Sequence, residues 1–200
     1  MITTTLVSRK ILGTALLLCG VCLSAIAGEP TAFDLIKEAN DYVGKDARDK
    51  VVQVRSEKSI GSLTPSIWWI VFYDTDASMK ATEVKFEAGK KSDVKRPFRL
   101  LELPKADKVF DKSRLNTDSD KAIKIAIAEP LLKNVTLKAT QLWLDSNLKS
   151  DLSVTGPIWR VRLFAAKLRN PNDNVDIGEV FVSADDGKVV KVDLHINRVD

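Results

Sequence analysis

Two hydrophobic patterns follow one another along the chain, and the pair occurs twice. Over residues 32–43, and again around Ile123 and Ile127, apolar side chains recur at the spacing of an amphipathic helix. Each helical stretch is followed by segments that favour strands, most of them with apolar and polar residues in alternation. This order predicts an α+β fold in which helices pack on antiparallel sheet.

Both predicted helices carry start and end signals, and Gly44 ends the first as a C-terminal glycine does. Thr31 can cap the first helix, and Asp34, three positions later, can complete a capping box. Thr117 or Asp118 can cap the second helix, and Pro130 ends or kinks it because proline lacks an N–H donor. We therefore expect one helix near the start of each half of the chain.

Eight stretches favour strands through their alternation or their β-branched and aromatic residues. They are residues 52–55, 66–74, 81–88, 94–103, 135–145, 157–168, 178–184 and 188–196. Residues 66–74 are apolar on both faces, so we expect this strand to be central and covered on each side. Turns are predicted at residues 89–91 and 185–187, where glycine lies beside polar residues.

The N-terminus has the pattern of a secretory signal peptide. Arg9 and Lys10 precede an uncharged apolar run over residues 11–25, and Ala25-Ile-Ala27 matches a cleavage site. A run of about 15 residues suits a signal peptide better than a membrane span, which needs about 20. We expect cleavage near Ala27 and a periplasmic or secreted protein, with an uncleaved anchor as the alternative.

The two halves of the chain resemble each other in order and in short motifs. Proline precedes tryptophan at 65–68 and at 157–159, and a Glu-Val pair occurs at 83–84 and at 179–180, an offset of about 91 to 96 residues. We predict two repeated helix-on-antiparallel-sheet units. The predicted organisation is a signal peptide at 1–27, a first unit at 28–104, a linker at 105–116 and a second unit at 117–200.

Removal of the signal peptide changes what the composition implies. Both cysteines, Cys19 and Cys22, lie inside it, so the mature chain lacks disulfides, thiol catalysis and cysteine metal sites. The formal charge falls from +4 to +2 with the loss of Arg9 and Lys10, and the remaining charges are interspersed. We therefore predict no nucleic-acid partner and no stable membrane insertion after cleavage.

The second half carries the motifs of a known family. Trp159 begins the run Trp-Arg-Val-Arg-Leu, and residues 178–193 read Gly-Glu-Val-Phe-Val-Ser-Ala-Asp-Asp-Gly-Lys-Val-Val-Lys-Val-Asp. Residues 117–196 resemble a PepSY or PepSY-like domain, and residues 31–104 resemble it more weakly because the turn at 87–90 lacks the acidic pair. The resemblance implies a helix packed on an antiparallel sheet in a secreted or envelope protein, so we expect the two repeated units to be cystatin-like or PepSY-like in form. The family includes protease propeptides with an inhibitory role, which implies a binding module.

His195 is the only histidine, so a Ser–His–Asp group would have to use it. Alternation on the last strand places Asp193 on the same face, but no serine has the Gly-x-Ser-x-Gly context of a nucleophile. We interpret His195 as a solvated strand residue and predict a protein that is not an enzyme. A hydrolase that uses His195 is the least favoured alternative.

Two acidic segments have some features of a metal site. Residues 170–176 place oxygen side chains at alternate positions, as a Ca²⁺ loop does, but Val175 and Phe181 stand where an EF-hand needs Gly and Glu. We interpret this segment as a loop and residues 185–187 as a turn. We predict no cofactor and assign no catalytic, cofactor-binding or metal-binding residue.

The four tryptophans allow two interpretations. Trp68, Trp69, Trp143 and Trp159 could form an aromatic platform for sugars or peptides, but we favour core or interface positions. Trp68 and Trp69 point to opposite faces by alternation, so at least one leaves the helix-covered face and could fill the seam between the halves.

The sequence thus favours an exported, non-catalytic protein that binds or modulates a protein or peptide partner, for example a protease. Exposed edge strands offer a physical route to peptide capture. The alternative is a small-ligand or metal-binding envelope protein that uses one face of its sheet.

Overall fold

The computed structural model describes residues 29–97, 104–147 and 155–200. The predicted signal peptide, residues 1–27, and the last six residues of the strand predicted over 94–103 lie outside these ranges. The described part of the chain is α+β, with two α-helices, short 3₁₀ turns and one eight-stranded antiparallel sheet.

The helices and strands follow the order that the patterns predict, with one helix and then four strands in each half. The elements are α1 (Ala32–Ala39), β1 (Val51–Ser56), β2 (Ile67–Tyr73), β3 (Ala81–Glu87), β4 (Lys90–Lys95), α2 (Ser119–Ile127), β5 (Leu137–Asn147), β6 (Thr155–Ala166), β7 (Asn174–Ser183) and β8 (Val189–Leu194). The sheet order is β4-β3-β2-β1-β5-β6-β7-β8. The four strands that follow each helix therefore lie on one side of a central seam, the antiparallel pairing of β1 with β5.

The helix ends follow their local signals. Thr31 and Asp34 form a capping box at the start of α1, because each side chain accepts a hydrogen bond from the other residue's backbone N–H. Asp118, one of the two predicted caps, precedes α2 and accepts a hydrogen bond from the Ser119 N–H. Helix α2 ends at Ile127, and Pro130 begins a 3₁₀ turn.

Both helices cover the same face of the sheet. Leu35 and Ile36 of α1 and Ala122 and Ile123 of α2 belong to one buried cluster. The strand residues of that cluster include Val54, Trp68, Ile70, Phe72, Val84, Phe86, Leu142, Leu144, Trp159, Val161, Leu163, Val180 and Val182. Burial of these apolar side chains is the main stabilising contribution that joins helices to sheet.

The N-terminus of α1 meets the N-terminus of α2. The Ala32 N–H donates to Ser119 Oγ at 3.0 Å, and the Phe33 N–H donates to Asp118 Oδ1 at 3.1 Å. These side chains satisfy backbone donors that a helix start leaves without an intrahelical partner. The Phe33 ring also stacks on Trp159 with the ring centroids 6.1 Å apart, so the two halves share one core.

Side-chain hydroxyls extend the short ladder at the central seam. Ser56 Oγ accepts a hydrogen bond from the Leu142 N–H at 2.9 Å, and Ser59 Oγ accepts one from the Thr140 N–H at 2.9 Å. Both serines are buried. They satisfy β5 donors beyond the point where the β1 ladder stops.

The fourth strand begins earlier than predicted. The turn is formed by Ala88 and Gly89, both with positive φ, and Lys90 already pairs with Glu87. A two-residue turn with two positive φ angles matches the right-handed twist of the strands that it joins. The prediction of a turn at residues 89–91 was therefore one residue late, and Lys90 and Lys91 belong to β4.

The segment predicted as a linker, residues 105–116, is attached to the sheet. The Phe110 N–H donates to the Val51 carbonyl at 2.8 Å, and the Phe110 side chain is buried in the core. Arg114 Nε donates to Asp185 Oδ2 at 2.9 Å. These contacts hold the segment against both halves.

Candidate functional site

The face of the sheet turned away from the helices carries charged and aromatic side chains. We call it the open face. By strand alternation and register it includes Gln53, Arg55, Trp69, Val71, Glu83, Lys85, Asp93, Gln141, Trp143, Asp145, Ile158, Arg160, Arg162, Glu179, Phe181, Lys191 and Asp193. Within the described residues no α-helix packs on this face, although Val109 of the segment before α2 covers Val71.

One row of open-face residues crosses all eight strands. In spatial order it runs Asp93, Lys85, Trp69, Arg55, Trp143, Arg160, Phe181 and Lys191. Cations and aromatic rings alternate along it from Lys85 to Lys191. We call this set the cation–aromatic row.

On the first side of the seam, two cations flank one tryptophan. Lys85 Nζ lies 5.2 Å from the centroid of the Trp69 ring, and Arg55 Cζ lies 5.3 Å from it. Cations at this distance are attracted by the negative face of the ring. The Trp69 side chain is half-buried and leaves part of its ring exposed.

The second side of the seam repeats the contact with different residues. Arg160 Cζ and Arg162 Cζ lie 4.6 and 4.9 Å from the centroid of the half-buried Trp143 ring. Lys191 Nζ lies 5.5 Å from the Phe181 ring. The row therefore has the Trp and Arg side chains that contribute most to protein interfaces.

Carboxylates hold two of the arginines in place. Glu83, only 4% exposed, accepts a hydrogen bond from Arg55 Nη2 at 3.0 Å and lies 3.8 Å from Lys95 Nζ. Glu179 accepts from Arg162 Nε at 2.9 Å and from Nη2 at 2.6 Å. Charge-assisted bonds of this length fix the direction of a guanidinium.

The two edge strands of the sheet, β4 and β8, differ in how well they resist the addition of another strand. All six residues of β4 are exposed, and three of them are lysines. Lysines on an edge strand disfavour the addition of another strand. Strand β8 instead alternates exposed residues with half-buried Val190, Val192 and Leu194, and Lys191 is its one lysine.

The backbone of β8 has groups directed outward. The His195 N–H donates to the Ile177 carbonyl at 2.7 Å, so the backbone groups of His195 point toward β7. In an antiparallel ladder these directions alternate, and the N–H and C=O groups of Val192 and Leu194 therefore point away from β7. No other strand of the described residues pairs with this side.

His195 lies in a small cleft just beyond the end of β8, where the structure has a 3₁₀ turn in place of the predicted end of the strand. Its Nε2 is 3.4 Å from Asp193 Oδ1, and its side chain is half exposed. The cleft has a volume of about 220 Å³ and is lined by charged residues and Gly178, with no serine, threonine or cysteine in its lining. The structure therefore places no nucleophile with His195 in this cleft.

The acidic segments engage protein groups of their own. Asp176 Oδ1 accepts a hydrogen bond from the Gly178 N–H at 2.8 Å, and Asn174, predicted in a loop, begins β7. In the turn after β7, Asp185 pairs with Arg114, and the contact with Lys188 lowers the pKa of Asp186 to about 2. Among residues 29–97, 104–147 and 155–200, no group of three or more His, Cys, Asp or Glu side chains is placed to hold a metal ion.

The structure divides the tryptophans between the two faces. Trp68 and Trp159 are buried on the helix-covered face, and Trp69 and Trp143 lie on the open face. Core or interface positions were expected for all four, and the prediction from strand parity that Trp68 and Trp69 point to opposite faces is confirmed. Parity could not have found the cation–aromatic row, because the row depends on the registers of all eight strands.

Within the described ranges, no helix has both the length and the apolar character needed to cross a membrane. Comparisons with protein-family models, with curated proteins and with solved structures found no match to this chain.

Proposed function

We propose that this protein is an exported, non-catalytic PepSY-like binding module that captures an extended segment of a protein or peptide partner along the outer edge of β8. The observation that carries the proposal is the contrast between the two edges. Strand β4 is protected by lysines, and β8 presents outward backbone groups beside half-buried apolar side chains. An added strand would satisfy those groups and cover Val192 and Leu194.

Two repeated helix-on-antiparallel-sheet units form part of the same proposal. A helix followed by four strands lies on each side of the seam. Trp68 and Trp159 both lie on the helix-covered face, and each Nε1 donates to a backbone carbonyl, that of Pro65 at 2.9 Å and that of Thr117 at 2.7 Å. These matched positions support a PepSY-like unit in each half.

The compartment is proposed from the sequence. A charged start, an apolar run and the Ala25-Ile-Ala27 site support export and cleavage near Ala27. Sequencing the N-terminus of the protein recovered outside the cytoplasm should give a chain that starts at Gly28. Recovery of the intact N-terminus from the cytoplasm would contradict export.

Site-specific photo-crosslinking in the native cell tests the binding edge. A photoreactive amino acid in place of Val189, which is exposed on β8, should capture a recurrent protein or peptide that mass spectrometry identifies. The matched control places the same group at Lys90 on β4. Val192→Pro, which removes an outward N–H from β8, should abolish capture if circular dichroism shows an intact fold. Equal capture from both edges, or capture that Val192→Pro leaves unchanged, would contradict the proposal.

A further inference from the structure

We propose that two copies of this chain pair through their open faces, about a two-fold axis parallel to the strands over the seam between β1 and β5. In such an isologous interface, residues at equal distances on either side of the axis meet in the two copies. A surface can pair in this way only if its two sides complement each other.

The cation–aromatic row has this property. Counted outward from the seam, the positions that would meet are Arg55 with Trp143, Trp69 with Arg160, Lys85 with Phe181, and Asp93 with Lys191. The two pairs nearest the seam each join an arginine to a half-buried tryptophan ring, and the outer pair joins opposite charges. In the third pair Lys85 meets Phe181, which is only 7% exposed and contributes less. If the mirrored positions on both sides of the seam carried cations, the two copies would instead set cation against cation.

The adjacent row is also complementary beside the axis. Gln53 pairs in register with Val71, and Asp145 with Ile158. Val71 and Ile158 are buried within their own chain, so the groups that rotation brings together are the Gln53 amide and the Asp145 carboxylate. A hydrogen-bond donor there meets an acceptor.

The open face is large enough for a stable interface. Eight strands about 4.8 Å apart and about six residues long cover about 800 Å², which matches one partner's share of a standard interface. Sheets that pack face to face cross at about 30°, so the opposition is closest for Arg55, Trp143, Trp69 and Arg160 beside the seam.

Arg160 is held differently from the neighbouring arginines. Its Nη2 is 3.7 Å from Asp145 Oδ2, its Cζ is 4.6 Å from the Trp143 ring, and its buried Nε has no hydrogen-bond partner among the described residues. Arg55 and Arg162, in contrast, each donate to a glutamate. In the proposed dimer the Trp69 ring of the second copy therefore meets a guanidinium that no glutamate orients.

Sedimentation equilibrium of the purified mature chain, residues 28–200, from low micromolar to about 100 µM, tests the pairing. The wild-type protein should form a dimer. Trp69→Arg should weaken dimerisation by about 10-fold or more, because it sets a guanidinium against Arg160 of the second copy. Circular dichroism checks that the variant is folded.

Mixing two variants tests the register directly. Arg160→Glu alone should also weaken the dimer, since it removes the cation over Trp69. An equimolar mixture of Trp69→Arg and Arg160→Glu should recover dimers, because one interface then pairs arginine with glutamate and keeps one native contact. Lys91→Ala is the matched control, since Lys91 lies 5.4 Å from the Tyr42 ring and outside the row.

Each outcome decides the proposal. A monomer up to about 100 µM, a dimer that Trp69→Arg leaves unchanged, or a mixture that does not recover dimers would overturn it. A dimer lost in Val192→Pro but kept in Trp69→Arg would show edge pairing through β8 and also overturn it. The photo-crosslinking result at Val189 is independent, because the β8 edges lie at the sides of the proposed dimer.

Discussion

The two faces of the sheet use tryptophan in opposite ways. On the helix-covered face, Trp159 is fully buried, stacks on Phe33 and donates its Nε1–H to the Thr117 carbonyl. On the open face, Trp69 and Trp143 stay half-buried beside cationic side chains. The role of a tryptophan in this fold therefore depends on its parity in the strand and on the position of the helices.

The largest expected effect is a difference in the free energy of unfolding between tryptophan substitutions on the two faces. Trp159→Ala should lower the free energy of unfolding by about 3–5 kcal/mol, because it opens a cavity in the shared core. Trp143→Ala should cost less than about 1 kcal/mol, since solvent already reaches its side chain. Urea unfolding at low protein concentration measures both without a contribution from association. Equal losses would contradict the distinction between the faces.

The seam is the next most sensitive region. Ser59→Ala leaves the buried Thr140 N–H without its acceptor, so we expect a loss of about 1–3 kcal/mol. The control is Ser92→Ala on the exposed strand β4, which should change the free energy of unfolding little. A Ser59→Ala variant as stable as the control would show that another group satisfies this donor.

On the open face, a buried carboxylate can be compared with an exposed one. Glu83→Ala removes the acceptor of Arg55 and should cost about 1–2 kcal/mol, because Glu83 is buried and Arg55 is partly exposed. Glu87→Ala, which removes an exposed partner of Lys85, should have no measurable effect. The same urea titrations decide whether burial of the acid accounts for the difference.

The smallest expected effect is a dependence on pH at the end of β2. Burial of Asp74 raises its pKa, but hydrogen bonds from Thr82 Oγ1 and the Asp76 N–H, with the charge of Arg96, lower the pKa below its usual value. A folded-state pKa below the unfolded one stabilises the fold above about pH 4, and this contribution is lost as the pH falls further.

Unfolding midpoints measured between about pH 7 and pH 2 test this sign. The wild-type midpoint should fall below about pH 4, and Asp74→Asn should make that fall slightly smaller. A variant profile parallel to the wild-type profile would exclude Asp74 as a source of acid sensitivity.

Several elements could be predicted because their signals are local. The Thr31 capping box and the end of α2 near Pro130 depend on residues within one helical turn. The strand predicted at 66–74 lies inside the sheet as β2, as its apolar character indicated. Its open side is covered only in part, because Val109 packs on Val71 but Trp69 stays half-buried.

An irregular pairing of β7 with β8 explains why the predicted direction of one β8 side chain was wrong. Val190 was predicted to share a face with Val192 and Leu194, but it packs with Ile158 and Phe181 instead. The register shifts where β7 pairs with β8, between Phe181 and Val182, and this reverses the direction of Val190. Nothing within β8 itself signals that shift.

By itself the sequence determined the helix starts, most strands and the parity of their side chains, because each depends on neighbours a few positions away. Only the tertiary structure decided that β1 pairs with β5, that both helices cover one face, and that β4 and β8 form the edges. These features join residues that lie far apart in the sequence, such as Val54 with Leu144 and Phe33 with Trp159. The cation–aromatic row exists only through that long-range pairing, since its members are scattered along the chain and meet where eight strands come into register.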